Sequence, residues 1–289
     1  KRARPKVLLA TCYDEAIETY RRYETNIIGV ISDIGFVLHK GDPSSTEKLD
    51  AGIDLCRLIR KENPTMPFLM QSSQEAMSSI AKQLKVGFVV KTSKTLTQEL
   101  SAYIEREFGF GDFVAIDPRS GKEIARASDL EAFERVISTI SSAAFRRLSD
   151  NNYLSKWLFA RGLFAIGRHV QQLQIQDDTD IENIRLTNIR LIHDYRINQA
   201  LGVVAKYSPQ TYNDTIWFAR CGDGAMGGKG RGLAFLNHTL QKHDLYDHWP
   251  QLRVLVPRTM VITTDYFDRF IHDNGLQYVI NADLTDEEI

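Results

Sequence analysis

The stretch Gly222-Asp-Gly-Ala-Met-Gly-Gly-Lys-Gly-Arg-Gly-Leu-Ala-Phe235 surrounds one lysine with six glycines in eleven residues and then becomes an apolar helical run. Glycine has no Cβ, so it adopts positive φ and turns its N–H toward an anion at little cost. The lysine adds a point charge, and a helix predicted to begin at Arg231 and to continue through residues 232–240 would offer the positive end of its dipole. The stretch therefore predicts a phosphate-binding loop. A flexible glycine hinge between two domains is the alternative.

The two common glycine-rich phosphate motifs fit this stretch poorly. Walker A needs a glycine five residues before its Gly-Lys pair and Ser or Thr after it, where this chain has Asp223 and Gly230. A Gly-x-Gly-x-x-Gly pattern is present at Gly222, Gly224 and Gly227. A dinucleotide fold also needs a buried strand before it and an acidic residue about 20 positions on. Asp244 and Asp247 lie near that distance in a polar segment, so a dinucleotide-dependent oxidoreductase is a minor alternative.

Two blocks taken together give a more specific indication. The first is Gly227-Gly-Lys-Gly-Arg-Gly-Leu-Ala-Phe-Leu-Asn237, and the second is Val254-Leu-Val-Pro-Arg-Thr-Met-Val-Ile-Thr-Thr-Asp-Tyr-Phe267. In this order they resemble the opening of the ATP-binding domain of the pyruvate phosphate dikinase and phosphoenolpyruvate synthase family. Phe235 and Leu236 depart from that family, which has an acidic residue and a methionine there, and Arg258 stands where proline is common.

The resemblance implies the first part of an ATP-grasp domain and an ATP-dependent phosphotransferase. Lys229 would contact the ATP phosphates, helped by Arg231 and by the backbone N–H groups of Gly227, Gly228 and Gly230. ATP and Mg²⁺ are the implied cofactors, and pyruvate is an example of the implied phosphoryl acceptor. In that family the Mg²⁺ carboxylates come later in the chain, so we assign no metal ligand or catalytic residue here and expect this chain alone to be inactive.

Composition narrows the class of protein. The 289 residues carry a net charge of −1, which gives no field to attract nucleic acid or anionic lipid. The three cysteines have no metal or disulfide spacing, which fits a reducing compartment. No apolar run approaches the roughly 18 residues of a membrane span, and the first residues lack a signal-peptide core. We predict a soluble, cytoplasmic protein with no nucleic-acid or membrane partner, and we leave homo-oligomerisation open.

Residues 1–115 alternate short apolar runs with helical patterns, which predicts a parallel α/β sheet. Strands are predicted at residues 6–11, 27–32, 67–71 and 87–90, and helices at 14–23, 51–62, 74–84 and 96–108. Asp33, Ser72 and Lys91 follow the last three strands. They resemble the site of a response-regulator receiver domain, which has a flavodoxin-like fold. The resemblance implies that Asp33 accepts phosphate, Ser72 hydrogen-bonds it and Lys91 pairs with it.

One receiver feature is missing from this segment. A receiver begins with a strand that ends in two Mg²⁺-binding acidic residues, but only 32 residues precede Asp33 here, and Thr11 and Cys12 are uncharged. We therefore expect a receiver-like domain that lacks its first strand and belongs to a longer protein. It is either a phosphorylated switch or a module that only docks.

Residues 116–214 are predicted to form a mainly helical linker, and residues 215–289 the start of the ATP-binding domain. A hairpin around residues 117–122 precedes amphipathic helices at 129–140, 152–170 and 180–204. Four basic residues on these helices are interpreted as solvated or helix-pairing, not as ligands: Arg161, Arg168, His169 and His193. After residue 214 we predict strands at 215–220, 254–256 and 259–263 and helices at 232–240 and 264–274. The main alternative function is a non-catalytic signalling or scaffold protein.

Overall fold

The computed structural model describes residues 5–200, 203–209, 215–242, 251, 254–282 and 285. These residues form a mixed α/β structure with two parallel three-stranded sheets, one two-stranded sheet and 12 helices. The chain divides into two compact units, Lys1–Ile192 and His193–Ile289, called here the first and second unit. No helix in the described ranges combines the length and the apolar character that crossing a membrane requires.

The first unit opens with an alternation of helices and strands, as the sequence predicts. Its elements are α1 (Tyr13–Tyr23), β1 (Val30–Asp33), α2 (Ala51–Glu62), β2 (Phe68–Ser72), α3 (Ser78–Gln83), β3 (Gly87–Val90) and α4 (Leu96–Glu107). The strands pair in parallel in the order β1-β2-β3, with Val30 opposite Phe68 and Leu69 opposite Gly87. Apolar side chains of α2 and β2 form the centre of the core beside this sheet. The prediction of a parallel α/β sheet is confirmed.

The prediction of a strand at residues 6–11 is wrong. Residues 5–10 have no regular secondary structure, and Val7 and Leu9 are 90% and 79% exposed. An apolar run forms a strand only when a neighbouring strand satisfies its backbone N–H and C=O groups. In the described part of the chain β1 pairs with β2 alone, so this sheet has three strands instead of the predicted four.

The rest of the first unit is a hairpin followed by packed helices. The elements are β4 (Phe113–Ile116), β5 (Glu123–Ala127), α5 (Leu130–Thr139), α6 (Ser142–Asp150), α7 (Tyr153–Phe159), α8 (Phe164–Gln172) and α9 (Asp180–Ala200). Residues 193–200 of α9 already belong to the second unit. Asp129 caps α5 as predicted, accepting a 2.9 Å bond from the N–H of Ala132. The Trp157 ring stacks on Phe133 at 4.4 Å and meets the edge of Phe113 at 6.1 Å. These rings form the centre of a second hydrophobic core.

The single helix predicted at residues 152–170 is instead two helices, α7 and α8. Gly162 adopts φ +77°, and its N–H bonds to the carbonyl of Phe159 while the N–H of Leu163 bonds to Leu158. This is the usual way in which a glycine ends a helix, because glycine enters the left-handed region without strain. The sequence analysis also missed α6. The helix predicted at 180–204 is α9, and residue 204 belongs to a strand instead, since β6 begins there.

Besides the last turns of α9, the described residues of the second unit contain a three-stranded parallel sheet and three helices. The elements are β6 (Val204–Lys206), β7 (Phe218–Cys221), α10 (Gly227–Lys242), β8 (Thr259–Ile262), α11 (Thr264–Asp273) and α12 (Gln277–Asn281). Strand β7 lies between β6 and β8. The strand predicted at 254–256 is irregular chain. The turn at 209–214, the polar segment at 243–251 with Asp244 and Asp247, and the tail at 283–289 lie outside the described residues apart from 209, 251 and 285.

Candidate functional site

Each parallel sheet carries polar residues at the edge where its strands end. In open α/β sheets this carboxyl edge is the usual place for a ligand, because loops leave the strands there and helix amino termini meet. The first unit places Asp33, Ser72 and Lys91 at such an edge. The second unit places Lys206, Gly222 and Thr263 at another.

In the first unit, Asp33 and Lys91 are brought together. Lys91 Nζ donates to Asp33 Oδ2 at 2.7 Å, and both side chains are 38% exposed. Gln71 Nε2 donates to the other carboxylate oxygen, Oδ1, at 2.6 Å. The Ser72 hydroxyl accepts a 3.1 Å bond from the N–H of Gln74, while the Ser72 carbonyl accepts from the N–H of Lys91. Both oxygens of the Asp33 carboxylate are therefore engaged, one by a side chain of the adjacent strand β2 and the other by the lysine that follows β3.

The sequence analysis missed Gln71. Its signal is the strand register, because Asp33 on β1 lies directly opposite Gln71 on β2. Residues directly opposite on neighbouring strands stand on the same face of the sheet, so an amide there reaches the carboxylate. A predicted register, and not only a list of strand ends, would have identified it.

Gly52 fixes the backbone at the end of β1. Its N–H donates to the carbonyl of Ile34 at 2.8 Å, and a Cβ at this position would lie 2.0 Å from the carbonyl oxygen of Asp33. Glycine therefore allows the first turn of α2 to approach the chain that carries Asp33. Gly52 is the second residue of α2, inside the helix predicted at 51–62.

In the second unit, the loop Gly222–Met226 follows β7 and is called the glycine loop. Lys206 Nζ, at the end of β6, lies 2.7 and 2.9 Å from the two carboxylate oxygens of Asp223. Arg220 Nη1 donates to the carbonyl of Gly222 at 3.0 Å. The carboxylate of this loop is therefore neutralised by a lysine of a neighbouring strand.

The first turn of α11 binds the glycine loop. The N–H groups of Asp223 and Gly224 donate to the Asp265 carboxylate at 3.2 and 3.0 Å. The N–H of Ala225 donates to Thr264 Oγ1 at 3.1 Å, and Thr264 N–H donates back to the Ala225 carbonyl at 3.0 Å. Thr263 Oγ1 also donates to Asp265. The Thr263 hydroxyl and the two backbone N–H groups lower the pKa of Asp265 to about 2.

The glycines fall into two groups by what surrounds them. A Cβ at Gly222 would lie 2.0 Å from Thr263 Oγ1, and one at Gly224 would lie 2.7 Å from the N atom of Asp265. Contacts within the chain therefore require glycine at both positions. A Cβ at Gly227, Gly228 or Gly232 would have no atom of the described residues within 4 Å, leaving out the helix's own nearby backbone. The space beside these three glycines of α10 is open.

Helix α10 begins at Gly227, four residues before the predicted start. The residues interpreted as loop therefore form its first turn, called here the glycine turn (Gly227–Arg231). Lys229 and Arg231 are exposed on it. The N–H groups of the first three helical residues have no acceptor within a helix, and here they belong to Gly227, Gly228 and Lys229. Gly230 is buried, with its Cβ position 3.2 Å from the side chain of Val261 on β8.

Basic residues that the sequence analysis interpreted as structural do bind backbone carbonyls. Arg161 donates to the carbonyls of Gly109 and Gly111 at 3.0 Å each and stacks over Trp157. Arg168 reaches the carbonyl of Thr25 at 3.4 Å, and His169 Nδ1 lies 2.9 Å from the carbonyl of Ala165. Arg161 and Arg168 therefore hold chain segments together within the first unit, whereas His169 contacts a carbonyl of its own helix, α8.

The described residues include no group of three or more His, Cys, Asp or Glu side chains placed to hold a metal ion. Cys12 and Cys56 are buried, and burial raises the pKa of Cys56 to about 11. Cys221 is partly exposed at the start of the glycine loop, with its Sγ 3.4 Å from Tyr266 Oη.

No protein-family model, curated protein or solved structure matches the chain.

Proposed function

We propose that the chain is part of an ATP-dependent phosphotransferase of the pyruvate phosphate dikinase and phosphoenolpyruvate synthase type. In this proposal residues 1–115 are a receiver-like module, residues 116–214 a helical linker, and residues 215–289 the first part of an ATP-grasp domain. ATP bound with Mg²⁺ is the phosphoryl donor, and a small acid such as pyruvate is the acceptor. The glycine turn holds the phosphates.

The open space around the glycine turn carries the proposal. Glycine inside a helix costs about 1 kcal/mol relative to alanine. Gly228 and Gly232 carry this cost although, beyond the nearby helix backbone, no atom of the described residues would touch a side chain there. Neither has a φ in the left-handed region, so the backbone does not require glycine either. A ligand that approaches the backbone closely supplies the missing reason, and phosphate is the ligand that a helix amino terminus prefers.

The charges near the glycine turn favour an anion. Asp223 is paired with Lys206, and the Asp265 carboxylate accepts hydrogen bonds from the loop amides and from Thr263. Lys229 and Arg231 add two exposed positive charges. In phosphoryl transfer the protein contributes mainly by positioning the phosphates and stabilising their charge. Lys229 would act in this way, with the N–H groups of Gly227 and Gly228.

The receiver-like assignment is supported by the contacts of Asp33. Parallel strands in the order β1-β2-β3 bring Lys91 to the Asp33 carboxylate, where it would also reach a phosphoryl group on Asp33, the partner that the resemblance implies. Because Gln71 and Lys91 each hold one carboxylate oxygen, phosphorylation of Asp33 requires at least one of these bonds to break. We therefore retain both possibilities of the sequence analysis, a phosphorylated switch and a module that docks.

A titration followed by amide NMR tests the proposed phosphate site. Mg²⁺-ATP and inorganic tripolyphosphate are each added to the chain, and the tripolyphosphate arm reports on the phosphate site without needing an adenine pocket. Shifts are expected at the amides of residues 227–231. Lys229→Gln should weaken tripolyphosphate binding about tenfold, since it removes a charged donor.

Lys122→Gln is the matched control for charge. Lys122 is an exposed residue of the hairpin turn in the first unit, so its loss changes the net charge equally without touching α10. Equal weakening by both variants, or no shift at residues 227–231, would reject the proposal.

A scaffold protein is the second candidate function. The second unit exposes aromatic side chains on α10 and α11, with Phe235 72% and Phe270 55% exposed. Apolar surface of this kind often marks a contact site for another protein. Absence of nucleotide and tripolyphosphate binding, together with retained folding, would favour this candidate.

A further inference from the structure

Asp265 occupies the part of the glycine loop that would otherwise be free to bind an anion. Successive backbone N–H groups in a glycine-rich turn form a concave site for negative charge. Here the N–H groups of Asp223 and Gly224 already point to the Asp265 carboxylate, at 3.2 and 3.0 Å, and Ala225 N–H points to Thr264 at 3.1 Å. An incoming phosphate is therefore left with the N–H groups of the glycine turn.

The same contacts hold the glycine loop in one conformation. Thr264 N–H donates back to the Ala225 carbonyl, and Thr263 N–H donates to the Cys221 carbonyl, each at 3.0 Å. The loop is therefore bonded to the first turn of α11 from Cys221 to Ala225, directly before α10 begins at Gly227. Glycine at 222 and 224 makes this approach possible, since a Cβ at either position would collide with residues 263–265.

We infer that Asp265 is a positioning residue for phosphate binding: its carboxylate fixes the glycine loop and so holds the glycine turn of α10 in the binding geometry. This inference rests on the proposed function. Without the carboxylate the loop has to be ordered when the ligand binds, and the free-energy cost of that ordering weakens the affinity. Asp265 itself does not contact the phosphates.

The sign of the effect distinguishes positioning from simple electrostatics. Asp265→Asn removes a negative charge near an anion site, so electrostatics alone predicts tighter binding of tripolyphosphate. Positioning predicts weaker binding, about tenfold, because the neutral amide keeps only one acceptor oxygen and its NH2 group cannot accept from the second loop N–H. Asp268→Asn is the matched control, since it removes the same charge from an exposed site on α11, one turn further along.

The experiment combines amide hydrogen exchange without ligand and tripolyphosphate titration by NMR, on the whole chain. Asp265→Asn should speed exchange at residues 223 and 224 about tenfold, leave the amides of β7 unchanged and weaken binding. Unchanged or tighter binding, or unchanged exchange at these two residues, overturns the inference. If wild type binds no tripolyphosphate, the proposed function is rejected and the inference with it. Normal wild-type binding with an unaffected Asp265→Asn rejects the inference alone.

Thr264→Val keeps the test decisive if Asp265→Asn unfolds the second unit. It removes the one acceptor of the Ala225 N–H and leaves the carboxylate in place. Faster exchange at residue 225 with about threefold weaker binding supports the positioning role, because a single neutral hydrogen bond contributes less than a charged one. Faster exchange at residue 225 with unchanged binding overturns it.

Discussion

The two parallel sheets end in the same pair of residue types but build their edges differently. In the first unit Lys91 meets Asp33 at 2.7 Å, and in the second Lys206 meets Asp223 at the same distance. At the first edge, side chains from β2 and β3 hold the carboxylate. At the second edge, the Lys206–Asp223 ion pair is surrounded mainly by backbone. A glycine loop is bonded to α11, and a glycine turn with open space beside it follows that loop. The first edge is a side-chain site, and the second is a backbone site.

The difference between the two edges shows that a site built from side chains is easier to predict from sequence than a site built from backbone. Side chains at strand ends are visible as residue types, and the strand-end rule located Asp33 and Lys91 correctly at one edge. A backbone site is visible only as glycine, and glycine has several causes. Two of the glycines near Lys229 are required by packing against α11, and three have open space.

The largest expected effect contrasts a buried phenylalanine of the first unit with an exposed phenylalanine of the second. Phe68 on β2 is fully buried, so Phe68→Ala should lower the free energy of unfolding of the first unit by about 3–5 kcal/mol. Phe267 on α11 is 61% exposed, and Phe267→Ala should change stability by less than about 0.5 kcal/mol. Urea denaturation of both variants measures this. Similar losses for the two would contradict the contrast.

The second prediction makes the same substitution in a helix of each unit. Gly52→Ala should destabilise the first unit by about 2–3 kcal/mol, because its Cβ would collide with the Asp33 backbone. Gly232→Ala in α10 should stabilise by about 0.5–1 kcal/mol, since its Cβ would meet open space. Thermal and urea unfolding report both signs. A stabilising Gly52→Ala would show that α2 does not need close approach to β1.

The third prediction concerns pH at the backbone site. Because the folded-state pKa of Asp265 is about 2, below the ordinary value of 3.8, its ionised form stabilises the fold above about pH 4. This contribution is lost as the pH falls from about 4 toward 2. The amide proton shift of Gly224 should stay constant from pH 7 to 4 and then change. Asp265→Asn should abolish that change, and a midpoint near 3.8 in wild type would argue against the loop contacts.

The smallest expected effect comes from removing the lysine of each ion pair, Lys91–Asp33 and Lys206–Asp223. Lys91→Met and Lys206→Met should each cost at most about 0.5–1 kcal/mol, because partly exposed ion pairs are weakened by solvent and by the entropy of long side chains. The small cost of Lys91→Met should become smaller still in about 1 M salt, because that concentration screens exposed charges almost completely. A loss above about 2 kcal/mol for one variant would show that its edge is more tightly organised.

Local patterns gave most of the first sheet. Helix α2 has its predicted bounds because four apolar positions, Ile53, Leu55, Cys56 and Ile59, recur at helical spacing and are all buried. The failure at residues 6–11 has a physical cause, since a strand needs a partner that lies elsewhere in the chain. The early start of α10 was also hidden, because glycine has a poor helix propensity and tertiary context overrides it here.

The Asp265 contacts were beyond a local pattern. The residues that this carboxylate binds precede it by 41 and 42 positions, so no spacing rule connects them. The candidate site on α10 was located by composition and by resemblance to a family. Which of its glycines are packed against other residues and which face open space is visible only in the three-dimensional structure.

The uneven burial of the three cysteines has a practical consequence. Cys12 and Cys56 are enclosed in the first unit, whereas Cys221 is partly open to solvent where β7 passes into the glycine loop. A maleimide fluorophore or spin label should therefore attach to Cys221 in the native chain ahead of the other two thiols. The chain thus carries its own reporter beside the proposed phosphate site, and ligand binding can be followed optically without engineering a new attachment point.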